Sequence, residues 1–301
     1  MARTKLVGHE PVEIGRRARV IRRHRGLSVE VVAGLTGMSE QELSMLENGE
    51  RRFERRGQIE DLANAIGCPI TVLTGQPYLP VDRASADALA VVPGIREAIL
   101  GRTLEERFER AARPVAELAQ GAQRAHEHLD QDRYAAAGRG LGALLTELHM
   151  RGAEGADTRN EALAALVRAC HVAATIAGVI GYHDLALSAG RRGLDAAIRL
   201  GDPVVLGLAR LTWAQTWIKV GARAQAQEVN GSALAELGMV ADPAAPDTGA
   251  AELLGMHHLL AATLAARAGQ AADADEHLDQ ARTLAARTGE RNTAMLHFGP
   301  T

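Results

Sequence analysis

Apolar residues recur every three or four positions along most of the chain, in runs separated by glycine, aspartate or proline. This periodicity is typical of amphipathic helices that bury one face. Hydrophobic residues make up 47% of the 301 residues, whereas aromatic residues make up only 3%. The core must therefore be built from Ala, Leu and Val, which favours close-packed helices over sheets. The pattern predicts an all-α fold, and the length predicts two domains.

Short helical runs fill the first 76 residues. The first run carries six arginines on its polar side, and a glycine ends each of the first three runs. Ser28 and Ser39 stand in N-cap positions before the second and third helices, and Glu42 follows Ser39 at the spacing of a capping box. The five predicted helices cover 12–25, 29–35, 39–48, 58–66 and 70–73.

The second and third of these helices are separated by only three or four residues, which indicates a helix-turn-helix. The run from Ile14 to Gly75 resembles the Xre/Cro-type helix-turn-helix family along its whole length. The matching positions are the small residue Ala33, the turn glycine Gly37, the cap Ser39, the buried pair Leu43 and Leu46, and the following Glu47, Asn48 and Gly49.

This resemblance implies that the helix 39–48 enters the major groove of double-stranded DNA. Gln41, Ser44 and Met45 match the positions that face base edges, and glutamine can bond adenine in two places. Asn48 and the arginines after it match the loop that grips phosphates. The predicted DNA-binding residues are Ser39, Gln41, Glu42, Ser44, Met45, Asn48, Arg51, Arg52 and Arg55.

The resemblance also implies a structural ion pair between Glu47 and an arginine of the first helix, here Arg22. Two departures from the family pattern bear on function. Val29 stands where the family usually has a phosphate-bonding glutamine, and Glu40 and Glu42 repel phosphates unless a cytosine amine is near. Weak non-specific binding is therefore expected. The alternative is that the domain has lost DNA binding and binds protein instead.

Charge is distributed unevenly between the two parts of the chain. Residues 1–76 hold 12 basic and 10 acidic residues, whereas the remainder holds 22 and 27. A mildly basic N-terminal region joined to an acidic C-terminal region is consistent with a small DNA-binding domain attached to a region that need not contact DNA. Lysine is nearly absent while arginine is abundant, which suggests a GC-rich genome such as that of an actinobacterium.

The pattern changes after Gly75. The segment QPYLPVDR has the composition of a linker, and nearly everything from Ala84 onward is amphipathic helix. We predict a DNA-binding domain over 1–76, a linker with a connecting helix over 77–102, and helical repeats over 103–301. The last residues, NTAMLHFGPT, resemble the opening of a further helix pair, so we expect either a truncated chain or a segment that packs on a partner.

Small residues recur at fixed offsets around four turns of this second region. The turns are centred on Asp132, Gly181, Gly221 and Gly269, which are 49, 40 and 48 residues apart. Two antiparallel helices need small residues where they approach closely across a tight turn. An alanine stands seven residues before and five residues after each centre: Ala125 and Ala137, Ala174 and Ala186, Ala214 and Ala226, Ala262 and Ala274.

This pattern resembles the tetratricopeptide repeat, although the usual aromatic residues and proline are mostly missing. The resemblance implies a right-handed α-solenoid in which the first helix of each pair lines a concave surface. That surface would bind a peptide or an acidic small molecule, or would be only the solvated inner face of a scaffold. The predicted effector-binding residues are Arg168, His171, Thr175, Gln215, Lys219, Thr263 and Arg267, interspersed with Leu211, Ile218 and Leu259.

Other chemistry-bearing residues favour structural interpretations. Trp213 and Trp217 fall at interior positions of the repeat, which favours core packing over a ligand clamp. Cys68 and Cys170 have no partner spacing and are expected to be buried thiols. The histidines at 126 and 128, and at 257 and 258, are too close in sequence to share a metal ion. We therefore predict no metal site and no cofactor.

Enzymatic function is not expected, because the chain has no nucleophile elbow, phosphate-binding glycine loop or HExxH motif. The start MARTKLVGHE lacks the apolar core of a signal peptide, and no run of eighteen apolar residues follows, which predicts a cytoplasmic protein without a membrane segment. The leading hypothesis is a homodimeric transcription regulator that reads a palindromic operator and responds to an effector. The alternative is a non-enzymatic adaptor whose repeats recruit a protein partner.

Overall fold

The computed structural model describes residues 11–75, 87, 89–101, 112–153, 156–289 and 298–299. Within these residues the chain forms helices and no strands, as the periodicity predicts. The helices are α1 Pro11–His24, α2 Val29–Thr36, α3 Glu40–Asn48, α4 Arg56–Ile66, α5 Ile70–Thr74, α6 Val92–Leu100, α7 Val115–Asp130, α8 Tyr134–Gly138, α9 Leu141–Ala153, α10 Ala156–Val179, α11 His183–Leu200, α12 Pro203–Lys219, α13 Arg223–Val240, α14 Gly249–Arg267 and α15 Ala271–Thr288.

The chain divides into two compact units, residues 1–83 with 219–222 and residues 84–218 with 223–301. Most of the linker predicted after Gly75 lies outside the described residues, as do the start MARTKLVGHE and most of the ending NTAMLHFGPT. The predicted boundaries at 76 and 102 therefore stay predictions.

Capping side chains and glycines set the ends of the helices in the first unit. Ser28 Oγ accepts a hydrogen bond of 3.1 Å from the Val31 amide, which begins α2, and Ser39 Oγ does the same for Glu42 and α3. Gly37 and Gly49 take the left-handed conformation, with φ of 67° and 78°, and end α2 and α3. These predicted caps are confirmed.

The core of the first unit is formed by one apolar face from each helix. Leu43 and Leu46 of α3 are fully buried against α1, as the resemblance implied. The other buried members of this cluster are Ile14, Ala18, Val32, Ala33, Phe53, Ile59, Leu62, Ala63, Ile66 and Leu73.

Helix pairs follow one another from α7 onward, and the four predicted turns are confirmed. Asp132, Gly181, Gly221 and Gly269 all have positive φ, from 55° at Asp132 to 88° at Gly181, and each follows one helix and precedes the next. The eight alanines predicted around these turns are all buried, with at most 8% of the side chain exposed. The helices joined at Asp132, Gly181 and Gly269 pack closely through these small residues. The right hand of the predicted solenoid stays a prediction.

The second helix of the first pair is interrupted. α8 ends at Gly138, Gly140 has a φ of 72°, and α9 begins at Leu141. A side chain at Gly142 would lie 2.4 Å from the Gly94 carbonyl oxygen, so α6 and α9 approach each other through glycine. The interruption was not predicted, because the alanine offsets report the turn before α8 and nothing beyond it.

α10 is the central helix of the second unit and packs against α7, α9 and α11. Among the described residues, its segment Thr158–Val179 is long and apolar enough to cross a membrane, but 78% of its most apolar window is buried inside the protein. Its apolarity is therefore accounted for by core packing.

Trp213 and Trp217 of α12 contact each other edge to face, with ring centroids 5.1 Å apart. Trp213 is partly buried and packs against the main apolar cluster of the unit. A side chain at Gly190 of α11 would lie 3.1 Å from the Trp213 ring, so glycine makes room for the indole. For Trp213, the prediction of core packing is confirmed.

His257 of α14 is fully buried and joins three helices. Its Nδ1 lies 2.6 Å from Asn230 Oδ1 of α13, and its Nε2 lies 3.1 Å from the Gly207 carbonyl oxygen of α12. Burial lowers the pKa of His257 to about 4, while the bond to Gly207 opposes that shift. The ring is therefore neutral in the folded protein at neutral pH.

We expect the second unit to lose stability as the pH falls from about 6.5, the ordinary histidine pKa, towards 4. In that window the unfolded chain binds a proton at His257 that the folded chain excludes, which costs up to about 3 kcal/mol. Urea unfolding followed by tryptophan fluorescence measures it, because both tryptophans of the chain lie on α12. His257→Gln should show a smaller pH dependence, whereas His24→Gln, at an exposed position of α1, should keep it. Equal slopes in wild type and His257→Gln would refute the assignment.

Candidate DNA interface and effector face

α3 presents a polar surface outward because its apolar side is fixed in the core. Gln41 is exposed, and its amide makes no hydrogen bond within the described residues. Ser44 and Met45 are partly exposed one turn further along the same helix. The structure therefore leaves these three side chains open to a ligand, at the positions where base contacts were predicted.

A buried ion pair fixes α3 against α1. Arg22 Nε donates to Glu47 Oε1 at 2.6 Å and Arg22 Nη2 donates to Glu47 Oε2 at 2.7 Å, so both carboxylate oxygens are engaged. Arg22 Nη1 also donates to the Leu27 carbonyl at 2.8 Å, beside the turn before α2. The hydrogen bonds to Glu47 raise the pKa of the Arg22 guanidinium. The structural role predicted for Glu47 is confirmed.

The predicted phosphate-contacting residues fall into two groups. Arg52 and Arg55 are exposed and make no ion pair or hydrogen bond through their guanidinium groups within the described residues. Arg51 instead lies 3.1 Å from Glu42 and 3.4 Å from Glu54. Among the described residues, Arg52 and Arg55 are therefore the cations of this loop without a partner.

Asn48 also makes contacts inside the domain. Arg19 Nη1 donates to Asn48 Oδ1 at 2.5 Å, and Asn48 Nδ2 lies 3.3 Å from Glu50 Oε1. Arg19 of α1 thus stands at the end of α3, although the sequence reasoning did not single it out. Its position in the arginine-rich run was the only signal that could have found it.

The pairing of Glu42 changes one sequence-based expectation. The capping-box spacing predicted that its carboxylate turns back to the start of α3, but the carboxylate lies against Arg51. Half of the box is formed, through the Ser39 hydroxyl. Because Arg51 compensates Glu42, the exposed Glu40 is the more repulsive of the two acids towards a phosphate.

The predicted effector residues differ in exposure. Arg168, Thr175 and Gln215 are partly buried and make no hydrogen bond within the described residues. Thr263 and Arg267 are exposed on α14, and the Thr263 hydroxyl donates to the Leu259 carbonyl at 2.9 Å. Lys219 ends α12, and burial lowers its pKa.

The prediction that His171 is displayed on a surface is wrong. His171 is 8% exposed, its Nδ1 lies 2.8 Å from Thr212 Oγ1, and its ring stacks on His126 with centroids 5.3 Å apart. Leu211, also expected on that surface, is 1% exposed. The physical reason is that side chains of α7 and α12, among them His126 and Thr212, pack over this row of residues. Spacing within one helix could not show how deep its neighbours pack.

These features define an all-α protein with an N-terminal helix-turn-helix domain. Residues 13–73 match the sequence model of a family described as a helix-turn-helix domain. This match covers most of α1, all of α2 to α4 and most of α5. The caps, the buried leucines and the ion pair lie in the same stretch. No curated protein matches the chain.

Three solved structures are similar over most of their length. PlcR of Bacillus thuringiensis, solved in complex with the peptide PapR7 and DNA, is 13% identical, with a TM-score of 0.37; the alignment covers 91% of this chain and 94% of PlcR. Apo ComR from S. thermophilus is 14% identical, with a TM-score of 0.28 and coverage of 92% and 94%. Apo ComR from Streptococcus vestibularis is 13% identical, with a TM-score of 0.24 and coverage of 92% and 93%.

Proposed function

We propose that the chain is a sequence-specific DNA-binding transcription regulator of the Xre type, and not an enzyme. One observation carries the proposal: α3 holds its apolar side in the core and leaves the Gln41 amide exposed. Within the described residues, that amide makes no hydrogen bond, and Arg52 and Arg55 in the loop that follows make no ion pair. A glutamine that reads a base edge and arginines that grip phosphates are the two kinds of contact a recognition helix needs.

The remaining parts of the proposal follow from the family resemblance. The regulator would act in the cytoplasm as a homodimer on a palindromic operator, with two recognition helices about 34–36 Å apart. Its helical unit would bind a peptide or small-molecule effector through side chains on the first helix of each pair. Binding there would change the dimer geometry so that the operator half-sites no longer match.

One observation favours a second candidate, in which the domain binds protein. Val20 of α1 and Val72 of α5 are 63% and 47% exposed, and they line a surface groove of about 450 Å³ with Glu13, Arg16 and Arg17. Exposed apolar side chains in a polar rim are typical of protein-binding surfaces. An adaptor would use such a surface without any DNA.

Selection of genomic fragments by the full chain, at several salt concentrations, tests the regulator. We expect enrichment of a short palindrome. Gln41→Ala should weaken binding about tenfold and relax the preference at one base pair, because it removes a base contact. Arg52→Ala should weaken binding to all sequences and reduce the salt slope by about one, because it removes a phosphate contact.

Arg287→Ala is the matched control, because Arg287 is exposed on α15 of the other unit. It should leave both the affinity and the salt slope unchanged. Failure to enrich any sequence, even at low salt, would contradict the regulator and direct the search to a protein partner.

A further inference from the structure

One stripe of α10 stays open while the rest of the helix is buried. Between residues 161 and 178, every side chain is buried except those of Glu161, Ala164, Arg168 and Thr175. These residues are spaced by three, four and seven positions, so they lie on one face of the helix. The open stripe therefore carries an acid, a small residue, a cation and a hydroxyl in that order.

Arg168 is the cation on this stripe. It is partly buried, it makes no ion pair or hydrogen bond within the described residues, and burial alone lowers its pKa. A guanidinium removed from water without an acceptor is unfavourable unless a ligand supplies one. Its five donors in a planar fork match a carboxylate in two places.

A groove runs beside the start of this stripe. It has a volume of about 410 Å³ and lies along α7, with Glu161 as its lining residue from α10. Ala116 and Ala119 provide small side chains in it, Gln120 and Gln123 provide amides, and Arg124 and Glu161 provide charges of opposite sign. Neither Arg124 nor Glu161 makes an ion pair within the described part of the chain.

The stacked histidines show how α7 and α10 are aligned along their length, and therefore where the charges of this face lie. His126 of α7 lies beside His171 of α10, while Glu161 lies beside the earlier part of α7, so the two helices run in parallel. Arg168 therefore lies at the end of this face nearer the stacked histidines, and Glu161 lies at the far end. Glu161 lies two turns, or about 10.5 Å, from Arg168. The face is positive at one end and negative at the other.

We propose that this face of α7 and α10 binds a short peptide with free ends, whose terminal carboxylate is held by Arg168 and whose terminal ammonium lies against Glu161. An extended tripeptide spans about 10–11 Å, which matches the distance between the opposite charges. The assignment rests on the proposed effector-responsive regulator and names the chemical class and orientation of its effector.

Randomised tripeptide pools test the inference on the full immobilised chain. Three pools are compared: free-ended, N-acetylated and C-amidated, with retained peptides identified by mass spectrometry. We expect retention mainly from the free-ended pool, and at least tenfold less from the amidated pool, because amidation removes the carboxylate. A free-ended hexapeptide pool should be retained less than the tripeptides.

Calorimetry with the best-retained tripeptide then assigns the residues. Arg168→Gln should weaken binding at least tenfold, Arg168→Lys should restore part of the loss, and Glu161→Gln should weaken binding about threefold because Glu161 is exposed. The Arg287→Gln variant makes the same charge change at an exposed position of α15, and it should bind the tripeptide as wild type does. A thermal melt of each variant separates a lost contact from a lost fold.

Equal retention of free and amidated pools, equal affinity of Arg168→Gln and Arg287→Gln, or no retention at all would overturn the inference. So would binding of inorganic phosphate at Arg168 without any tripeptide. The DNA selection is run on the same preparation. An operator found together with peptide failure leaves the regulator standing, whereas the absence of an operator refutes the proposed function instead.

Discussion

Replacing Gly15 with alanine is expected to destabilise the helix-turn-helix domain by about 3 kcal/mol or more. A Cβ atom at Gly15 would lie 1.9 Å from the Leu46 carbonyl oxygen, 2.8 Å from the Leu46 carbonyl carbon and 3.1 Å from Glu47 Cα. All three are backbone atoms, so no side chain can move aside. α1 and α3 would have to separate, and the recognition helix would lose the surface that orients it.

Gly34→Ala is the matched control for this change. Gly34 lies in the interior of α2, and a Cβ atom there would meet nothing within 4 Å. Alanine is the better helix former, so this variant is expected to gain about 0.5–1 kcal/mol. Hydrogen exchange of amides in α1 to α3, measured on the full chain, reports both effects. Unchanged protection in Gly15→Ala would show that the two helices can separate at little cost.

Local signals made much of this fold predictable. A capping side chain bonds within three residues of itself, and a turn glycine acts at its own backbone. The roles of Ser28, Ser39 and Gly37 could therefore be predicted without knowing the partner helices. The eight alanines report a contact between helices joined by a tight turn, whose geometry is fixed by the turn itself. The alanines therefore give no information on the helix break after Gly138, which lies beyond the turn.

Polar contacts between distant elements were not predictable in the same way. The pairing of Arg51 with Glu42, and of Arg19 with Asn48, depends on how the loop after α3 folds back on the domain. These two contacts decide which of the predicted phosphate-binding side chains stay free. The Arg22–Glu47 pair is the exception, because its prediction came from the family resemblance.

On the candidate effector face, spacing along one helix could not predict which residues are accessible. Helical spacing placed Arg168 and His171 on the same side of α10, since they are three residues apart. The structure buries His171 between α7 and α12 and leaves Arg168 on the open stripe. Around the helix axis, Arg168 and His171 are separated by less than the rotation between two successive residues. One is nevertheless accessible and the other packed, and only the neighbouring helices define that boundary.

Glu47→Gln is the second change with a large expected effect. It leaves the Arg22 guanidinium, which is 6% exposed, without its carboxylate, and an uncompensated buried charge costs about 3–5 kcal/mol. Amide hydrogen exchange in α1 and α3 of the full chain is again the measurement. Glu54→Gln is the control, because Glu54 pairs with Arg51 on the surface at 3.4 Å, where the loss should stay within about 1 kcal/mol.

The double variant Arg22→Met with Glu47→Leu separates the cost of a broken pair from the value of an intact one. Apolar residues of similar volume remove both charges together, so the double variant should recover most of the stability that Glu47→Gln loses. DNA selection on the double variant then tests whether the pair also orients α3. Recovered stability with an unchanged operator would show that packing by Leu43 and Leu46 suffices to position Gln41. Recovered stability with relaxed specificity would show that the two hydrogen bonds of the pair hold the recognition helix in register, because the fixed angle of α3 is what brings its exposed side chains to particular bases.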